Sequence, residues 1–327
     1  MYIRFYFCLI FSFSLLSCSH KKVFSESNPD LQIVRFDSNL YNYLTDNKED
    51  SNIISSKFFL DEWGEKVIHI GKSDSAGFYE RLHNYFSEPT LMALFRDEQV
   101  QFADISDINT ELSAGMETLL QHLRTLKQPK IYMHISGLNQ NVIVNDEFLS
   151  LSADKYMGSD YPLYQEFFYD YQRQLMSPDR IVPDYLLGFL MANFPFKGND
   201  EVLLDKMLYE GKLRYLISQV LPNRKAHEIV AYTSQQYDWC KNHESHIWKT
   251  ILENQHLFQA DFVRTELYLK EAPYTPSLPS ESPGRVGIWL GYQIISSYMK
   301  HQSKTTWQEL MEQTESLKLL QESKYKP

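Results

Sequence analysis

The residues of this chain best equipped for chemistry are its histidines, cysteines and carboxylates, and their spacing decides what each can do. A helical zinc site needs His-Glu-x-x-His, because residues four apart place two imidazoles on one face with the Glu poised as base. His227-Glu228 lacks the second histidine, since Ala231 stands in its place. In His243-Glu-Ser-His246 the two imidazoles are three apart, which shares a face but breaks the pattern. Both strings read as structural or surface histidines. Ser136 sits in a His-Ile-Ser-Gly string at a strand end with no assignable base, and the chain has no Gly-x-Ser-x-Gly elbow. Cys240 has no neighbour in sequence that would lower its pKa, so it reads as inert packing. No carboxylate pair stands out for glycoside hydrolysis, and there is no Gly-rich phosphate loop. No catalytic residue, metal ligand or cofactor is assigned.

Cys18 is the exception. Arg4 precedes an apolar run from Phe5 to Leu16. That run is too short for a bilayer, which takes roughly 20 residues, but suits a signal-peptide core of ~7–15. It ends in Leu15-Leu16-Ser17-Cys18, which resembles the lipobox of bacterial lipoproteins. There the thiol takes a diacylglycerol as a thioether, and cleavage before the Cys frees an amine for a further acyl chain. Two or more chains anchor a protein stably where one does so marginally. The expected organisation is a signal peptide at 1–17, a lipidated tether at 18–29, one globular domain at 30–315 and a frayed tail at 316–327. Cys8 leaves with the signal and Cys18 is acylated, so Cys240 stands alone and the fold must rest on its core rather than on a disulfide. With 43% hydrophobic residues, 20 Phe and 22 Tyr, such a core is available. The net charge of −10 argues against nucleic-acid partners and against electrostatic docking on anionic lipid. Its ordinary consequence is solubility.

The elements that must position these residues divide into helical stretches around a short sheet. Leu31 to Asp37 alternates weakly and predicts a first strand, followed by helices from Leu40 to Gln128. Ser87-Glu88-Pro89 starts one helix, and Asn109 to Leu126 forms another, capped by Asn109 or Thr110. Lys130 to Ser136, Gln140 to Val144 and Glu147 to Ser152 predict three more strands, the last two joined through Asn145-Asp146. Beyond Ser177-Pro178-Asp179 the chain is helical again. Asp184 to Phe194 is apolar on nearly every face, as a buried helix would be, and Asp200 to Val220 is amphipathic. Two helices are expected between Lys225 and Phe258, a loop over Glu271 to Pro283, and a last apolar helix over Arg285 to Lys300. In that helix Gly287 and Gly291 permit close helix packing. The fold class is α+β: mostly helical, with a small, largely antiparallel sheet packed by helices.

Several strings together resemble the gliding-motility lipoprotein GldB family of the Bacteroidota. They are Ile131-Tyr-Met-His-Ile-Ser-Gly137, Leu151-Ser-Ala-Asp-Lys-Tyr-Met-Gly158, Tyr161-Pro-Leu-Tyr164, Arg180-Ile-Val-Pro-Asp184 and Met207-Leu-Tyr-Glu-Gly-Lys212, closing with Glu281-Ser-Pro-Gly-Arg-Val-Gly-Ile-Trp-Leu-Gly-Tyr-Gln-Ile294. The resemblance spans roughly residues 30–310, and the last string is its most specific part. It implies an envelope lipoprotein of the gliding and protein-secretion apparatus, with protein partners there, and it carries no catalytic residue. A fainter similarity is to zincin-type metallopeptidases, whose buried helix carries His-Glu-x-x-His and whose next helix carries a Glu ligand. Here the corresponding helix reads Val182-Pro183-Asp184-Tyr185-Leu186-Leu187-Gly188, without either His, although Glu210 falls on the later helix.

The leading expectation is therefore a non-catalytic, lipid-anchored envelope protein of zincin-like layout that binds another protein. Asp184, Glu210, Glu281, Gly284 and Arg285 are the candidate cleft, with Arg285 pairing with Asp184 or Glu210. The alternative is a metal-dependent hydrolase with a non-standard ligand set, such as His134, Asp154 or His227 together with Glu210. A third reading is a structural or substrate-binding lipoprotein unrelated to motility. Ser19-His20-Lys21-Lys22 after the Cys lacks the acidic run that resembles a surface-display signal in this lineage, so the body is expected to face the periplasm.

Overall fold

The strings that read as strands build one four-stranded sheet in a computed structural model of the chain, which describes residues 31–46, 53 and 56–327. Cys18, the signal peptide and the tether lie outside the described residues. The strands are β1 (Ile33–Arg35), β2 (Lys130–His134), β3 (Val142–Val144) and β4 (Phe148–Ser152), in the order β1-β2-β4-β3. β1 pairs with β2 and β2 with β4 in parallel, and only β3 and β4 run antiparallel. The expected largely antiparallel sheet is thus corrected to a mixed one. The reason is connectivity: helices fill the chain from β1 to β2, which brings the strands back in the same direction. The β3–β4 hairpin then inserts its second strand beside β2. Its turn is the expected Asn145-Asp146, where the Asn145 side-chain oxygen accepts from the amides of Glu147 and Phe148 at 2.8 and 2.9 Å.

Parallel strands carry helices on both faces, and the sequence of β2 shows it by being apolar without alternation. Ile131 and Met133 enter one core and Tyr132 the other; Leu149 and Leu151 of β4 join the first and Phe148 the second. The smaller core is aromatic and is closed by α1 (Phe36–Asp46), α2 (Lys57–Lys66), α3 (Phe78–Phe86) and α4 (Pro89–Gln101). Phe59 stacks on Tyr132 at 4.2 Å, and the Trp63 indole donates to the Ile135 carbonyl at 2.8 Å. α5 (Ser106–His122) starts ahead of the expected cap. Asn109 instead accepts from the Ile33 amide at 2.9 Å and so pins β1 to the helix.

The larger core lies on the other face. After the short helices α6 (Pro162–Phe167) and α7 (Asp170–Arg173) come α8 (Ile181–Asn193) and α9 (Leu203–Val220). α10 (Ala226–Ile229), α11 (Ser234–Asn242), α12 (Glu244–Glu253) and α13 (Phe262–Leu269) follow, three short helices standing between Lys225 and Phe258 where two were expected. The chain closes with α14 (Val286–His301), α15 (Trp307–Glu312) and α16 (Ser316–Ser323). The segment expected as a frayed tail is therefore ordered helix. Its charges face solvent, but Leu319 is buried and the Ser297 hydroxyl donates to the Ser323 carbonyl at 2.7 Å, so a single apolar stripe holds a polar-looking segment in place. No described helix is long and apolar enough to cross a membrane.

The closest approach in this core is between α9 and α14, where the expected glycine contact is found. A Cβ on Gly291 would lie 1.8 Å from the Met207 carbonyl oxygen, and one on Gly211 would lie 2.3 Å from the backbone of Gly291. Gly287 faces α13 instead, with the Tyr268 carbonyl 3.0 Å from its would-be Cβ. On helix propensity alone, alanine at a helical glycine gains up to about 1 kcal/mol. Here the backbones must part, so Gly291→Ala is expected to lower unfolding free energy by about 3 kcal/mol, the upper end of the usual cost of overpacking. Urea unfolding followed by circular dichroism measures it, and a stabilised variant would show that the helices do not touch there.

Candidate functional site

Helix α8 was expected to bury every face, yet one stripe of it does not enter the core. Asp184, Leu187, Gly188 and Met191 are spaced along one helical face and line a cavity of about 260 Å³. The cavity's far wall comes from Arg214 of α9, Arg285 at the start of α14 and Ala231 after α10. A broader groove of about 470 Å³ shares Leu187, Met191, Arg214 and Arg285 and adds Glu210 and Ile288. Glu271 is exposed at the rim of both. The edge strand β3 closes one side: Val142 lines the cavity, and a Cβ on Gly188 would lie 2.9 Å from the Val142 side chain.

Three guanidinium groups define the electrostatics. Arg180, at the entry to α8, donates through Nη2 to Asp184 Oδ1 and through Nη1 to the Glu228 carbonyl at 2.5 Å. The Tyr156 hydroxyl donates to the other Asp184 oxygen at 2.9 Å, so that carboxylate has an acceptor site filled on each side. Burial and the Asp184 charge together hold the Tyr156 phenol well above its ordinary pKa, which keeps it a donor. Arg214 and Glu210 pair across one helical turn at 3.2 Å. Arg285 has a left-handed backbone (φ 61°), uncommon for a residue with a side chain. Its Nη2 donates to the Ala231 carbonyl at 2.5 Å, and its guanidinium lies 5.4 Å from the Tyr232 ring centre. Burial, with Arg214 and Arg180 nearby, lowers its pKa.

Of the five expected cleft residues, Asp184 and Arg285 line one cavity and Glu210 the adjoining groove. Gly284 sits behind them: a Cβ there would meet the Ala272 carbonyl oxygen at 2.4 Å, and its own carbonyl accepts from Tyr232 at 2.5 Å. Glu281 is exposed on the loop and lines neither. The expected pairing of Arg285 with Asp184 or Glu210 is corrected, because Arg180 and Arg214 already occupy those carboxylates. Both of those partners stand four residues from their acids on one helical face, a spacing visible in the sequence. Tyr156 and Ala231 had no such signal, since only the fold brings them to α8.

The ligand set considered for a metal hydrolase does not assemble. His134 is buried beside β4, with Nδ1 2.6 Å from the Ser150 hydroxyl. Asp154 is buried as well, accepting from the amides of Ser136 and Leu138 at 2.9 and 2.6 Å and from the Ser152 hydroxyl. It fastens a turn in which Gly137 and Leu138 both have positive φ. His227 Nδ1 lies 3.1 Å from the Tyr232 carbonyl. Among the described residues, no three His, Cys, Asp or Glu side chains come together to hold a metal ion.

His134 instead gives the protein a pH dependence. Unfolded, its imidazole takes a proton near pH 6.5. Folded, desolvation keeps it neutral down to about 3. In between, the unfolded chain binds the extra proton, so the contribution is intact above pH 6.5 and is lost as pH falls, at about 1.4 kcal/mol per pH unit. From pH 7 to pH 5 the protein should lose about 2 kcal/mol more stability than His134→Gln, and urea unfolding at both pH values measures the difference. Equal losses would place the histidine in water.

A family model described as gliding motility protein GldB matches residues 17–327. No curated protein and no solved structure matches the chain.

Proposed function

The chain belongs to the gliding motility protein GldB family, and on that premise we propose that it is a lipid-anchored, non-catalytic envelope component that works by binding another protein of the motility or secretion apparatus. The observation that carries the reading is the extent of the family match, which begins one residue before Cys18 and runs to residue 327. Acylated Cys18 would hold the body at a membrane, where no described helix could. Lys21 and Lys22 behind it favour a body facing the periplasm.

The cleft supports binding rather than catalysis. A general base needs a carboxylate or imidazole with a free lone pair facing the substrate. Asp184 accepts from Arg180 and Tyr156, and Glu210 is held against the Arg214 charge at 3.2 Å, which disfavours its taking a proton. The reading of a peptidase-like scaffold without its histidines draws on α8 lying against the β3–β4 hairpin and on Glu210 standing on the following long helix. What remains is a shaped, charged concavity between α8, α9 and α14.

Two experiments test the proposal. In cells fed labelled palmitate, the wild-type chain should be cleaved and labelled, and Cys18→Ser should be neither. Label retained by the variant would remove the anchor assignment. Tagged full-length chain solubilised from the envelope in mild detergent should recover motility or secretion components, and a strain lacking the gene should lose surface spreading that the wild-type gene restores. Bait recovered alone, with unaltered spreading, would overturn the functional reading.

A further inference from the structure

The cleft holds more hydrogen-bond donors than acceptors. Arg214 is 6% exposed, and its Nε and Nη1 are buried without an acceptor. Glu210 Oε2 lies 3.2 Å from Nη1 but off the N–H direction, so it balances charge without receiving the proton. Arg285 spends one donor on a backbone carbonyl and, among the described residues, forms no ion pair. Formal charge leans positive, with Arg180, Arg214, Arg285 and the rim residue Lys270 against Asp184, Glu210 and the rim residue Glu271. The imbalance extends to hydrogen bonds. Arg214 Nε and Nη1 are closed off from the cavity, but Arg214 Nη2 and the remaining Arg285 nitrogens have no acceptor among the described residues, and an oxyanion entering the cavity would accept from them.

The walls decide which oxyanion. Leu187, Met191 and Ile288 line the approach to the two guanidinium groups, and Met191 is 42% exposed. Free phosphate would satisfy the donors and leave these side chains wet. An acidic side chain flanked by apolar ones satisfies both, and a cavity of about 260 Å³ has room for a carboxylate and its stem. We propose that the cleft receives an acidic–apolar peptide segment of a protein partner, one of whose carboxylates accepts from Arg214 and Arg285. This rests on the reading of the protein as a binding component and names the chemistry its partner presents. The planar forks of two arginines suit a carboxylate, and the apolar rim excludes water around it.

The test uses the full-length lipoprotein in detergent and two labelled peptides with blocked ends, acetyl-Leu-Leu-Glu-Leu-Leu-amide and its Gln counterpart, read by fluorescence anisotropy. The Glu peptide should bind at least about tenfold more tightly, because its charged carboxylate accepts at both oxygens where the Gln amide offers one neutral acceptor. Arg285→Asn, which tolerates the left-handed backbone, and Arg214→Gln should each abolish the preference. Met191→Glu keeps every buried group but replaces an apolar lining side chain with a charge at the mouth; it should weaken both peptides, and the Glu peptide several-fold more than the Gln peptide. Equal binding of the two peptides, binding of neither, or binding of inorganic phosphate without the Glu peptide would overturn the proposal. Palmitate labelling of the same preparations separates this outcome from the anchor. An unlabelled chain that still prefers Glu supports the cleft and sinks the tether, and a labelled chain without preference does the reverse.

Discussion

The contact on which the rest of the structure depends is the crossing of α9 and α14 at Gly211 and Gly291. With no side chain at either position, one helix's carbonyls touch the other's backbone. Gly211 stands between Glu210 and Arg214, and Arg285 precedes Gly291 by less than two turns of the same helix. The crossing therefore fixes where the two guanidinium groups meet. A slip of one turn, about 5.4 Å, would carry Arg214 away from the cavity it shares with Arg285. Behind this pair, Gly284 is seated against Ala272, and Thr275 donates to the Ser282 and Pro283 oxygens at 3.2 and 2.8 Å. The proline-rich loop is a buttress for the first residue of α14.

Local signals in the sequence foretold local structure. The unalternating Lys130–Ser136 run, the Asn145-Asp146 turn, the Glu88-Pro89 helix start and the Gly287/Gly291 spacing all correspond to what is found, because each is settled by neighbours in the chain. Strand direction did not follow from them, since it depends on which way the chain returns after a long helical crossover. The tail was misjudged for a related reason. Leu319 and Leu320 make a narrow apolar stripe among charges, and its value depends on α14 lying underneath.

The cleft shows the same division. Asp184, Glu210 and Arg285 could be singled out as residues, and two of the ion pairs were latent in four-residue spacings. The assignment of partners needed the fold, because Asp184 and Glu210 are claimed by helical neighbours and Arg285 turns to the Ala231 carbonyl instead. The stripe on α8 was hidden by composition: Leu187, Gly188 and Met191 are apolar and read as core. Only the approach of β3 and the gap before α9 turn them into a lining. A cavity is a property of what the surrounding elements leave unfilled, and no single helix encodes it.

One buried side chain gives this arrangement a reporter of its own. Cys240 of α11 is fully buried beside the Tyr232 hydroxyl, and burial pushes its thiol up to about 12. At neutral pH the sulfur is therefore neither exposed nor ionised, and it can react only when its surroundings open. Tyr232 is also the ring beneath Arg285 and the donor to Gly284. The rate at which an alkylating reagent reaches this sulfur in the native protein is thus a clock for breathing of the cleft wall, ticking without any label being introduced.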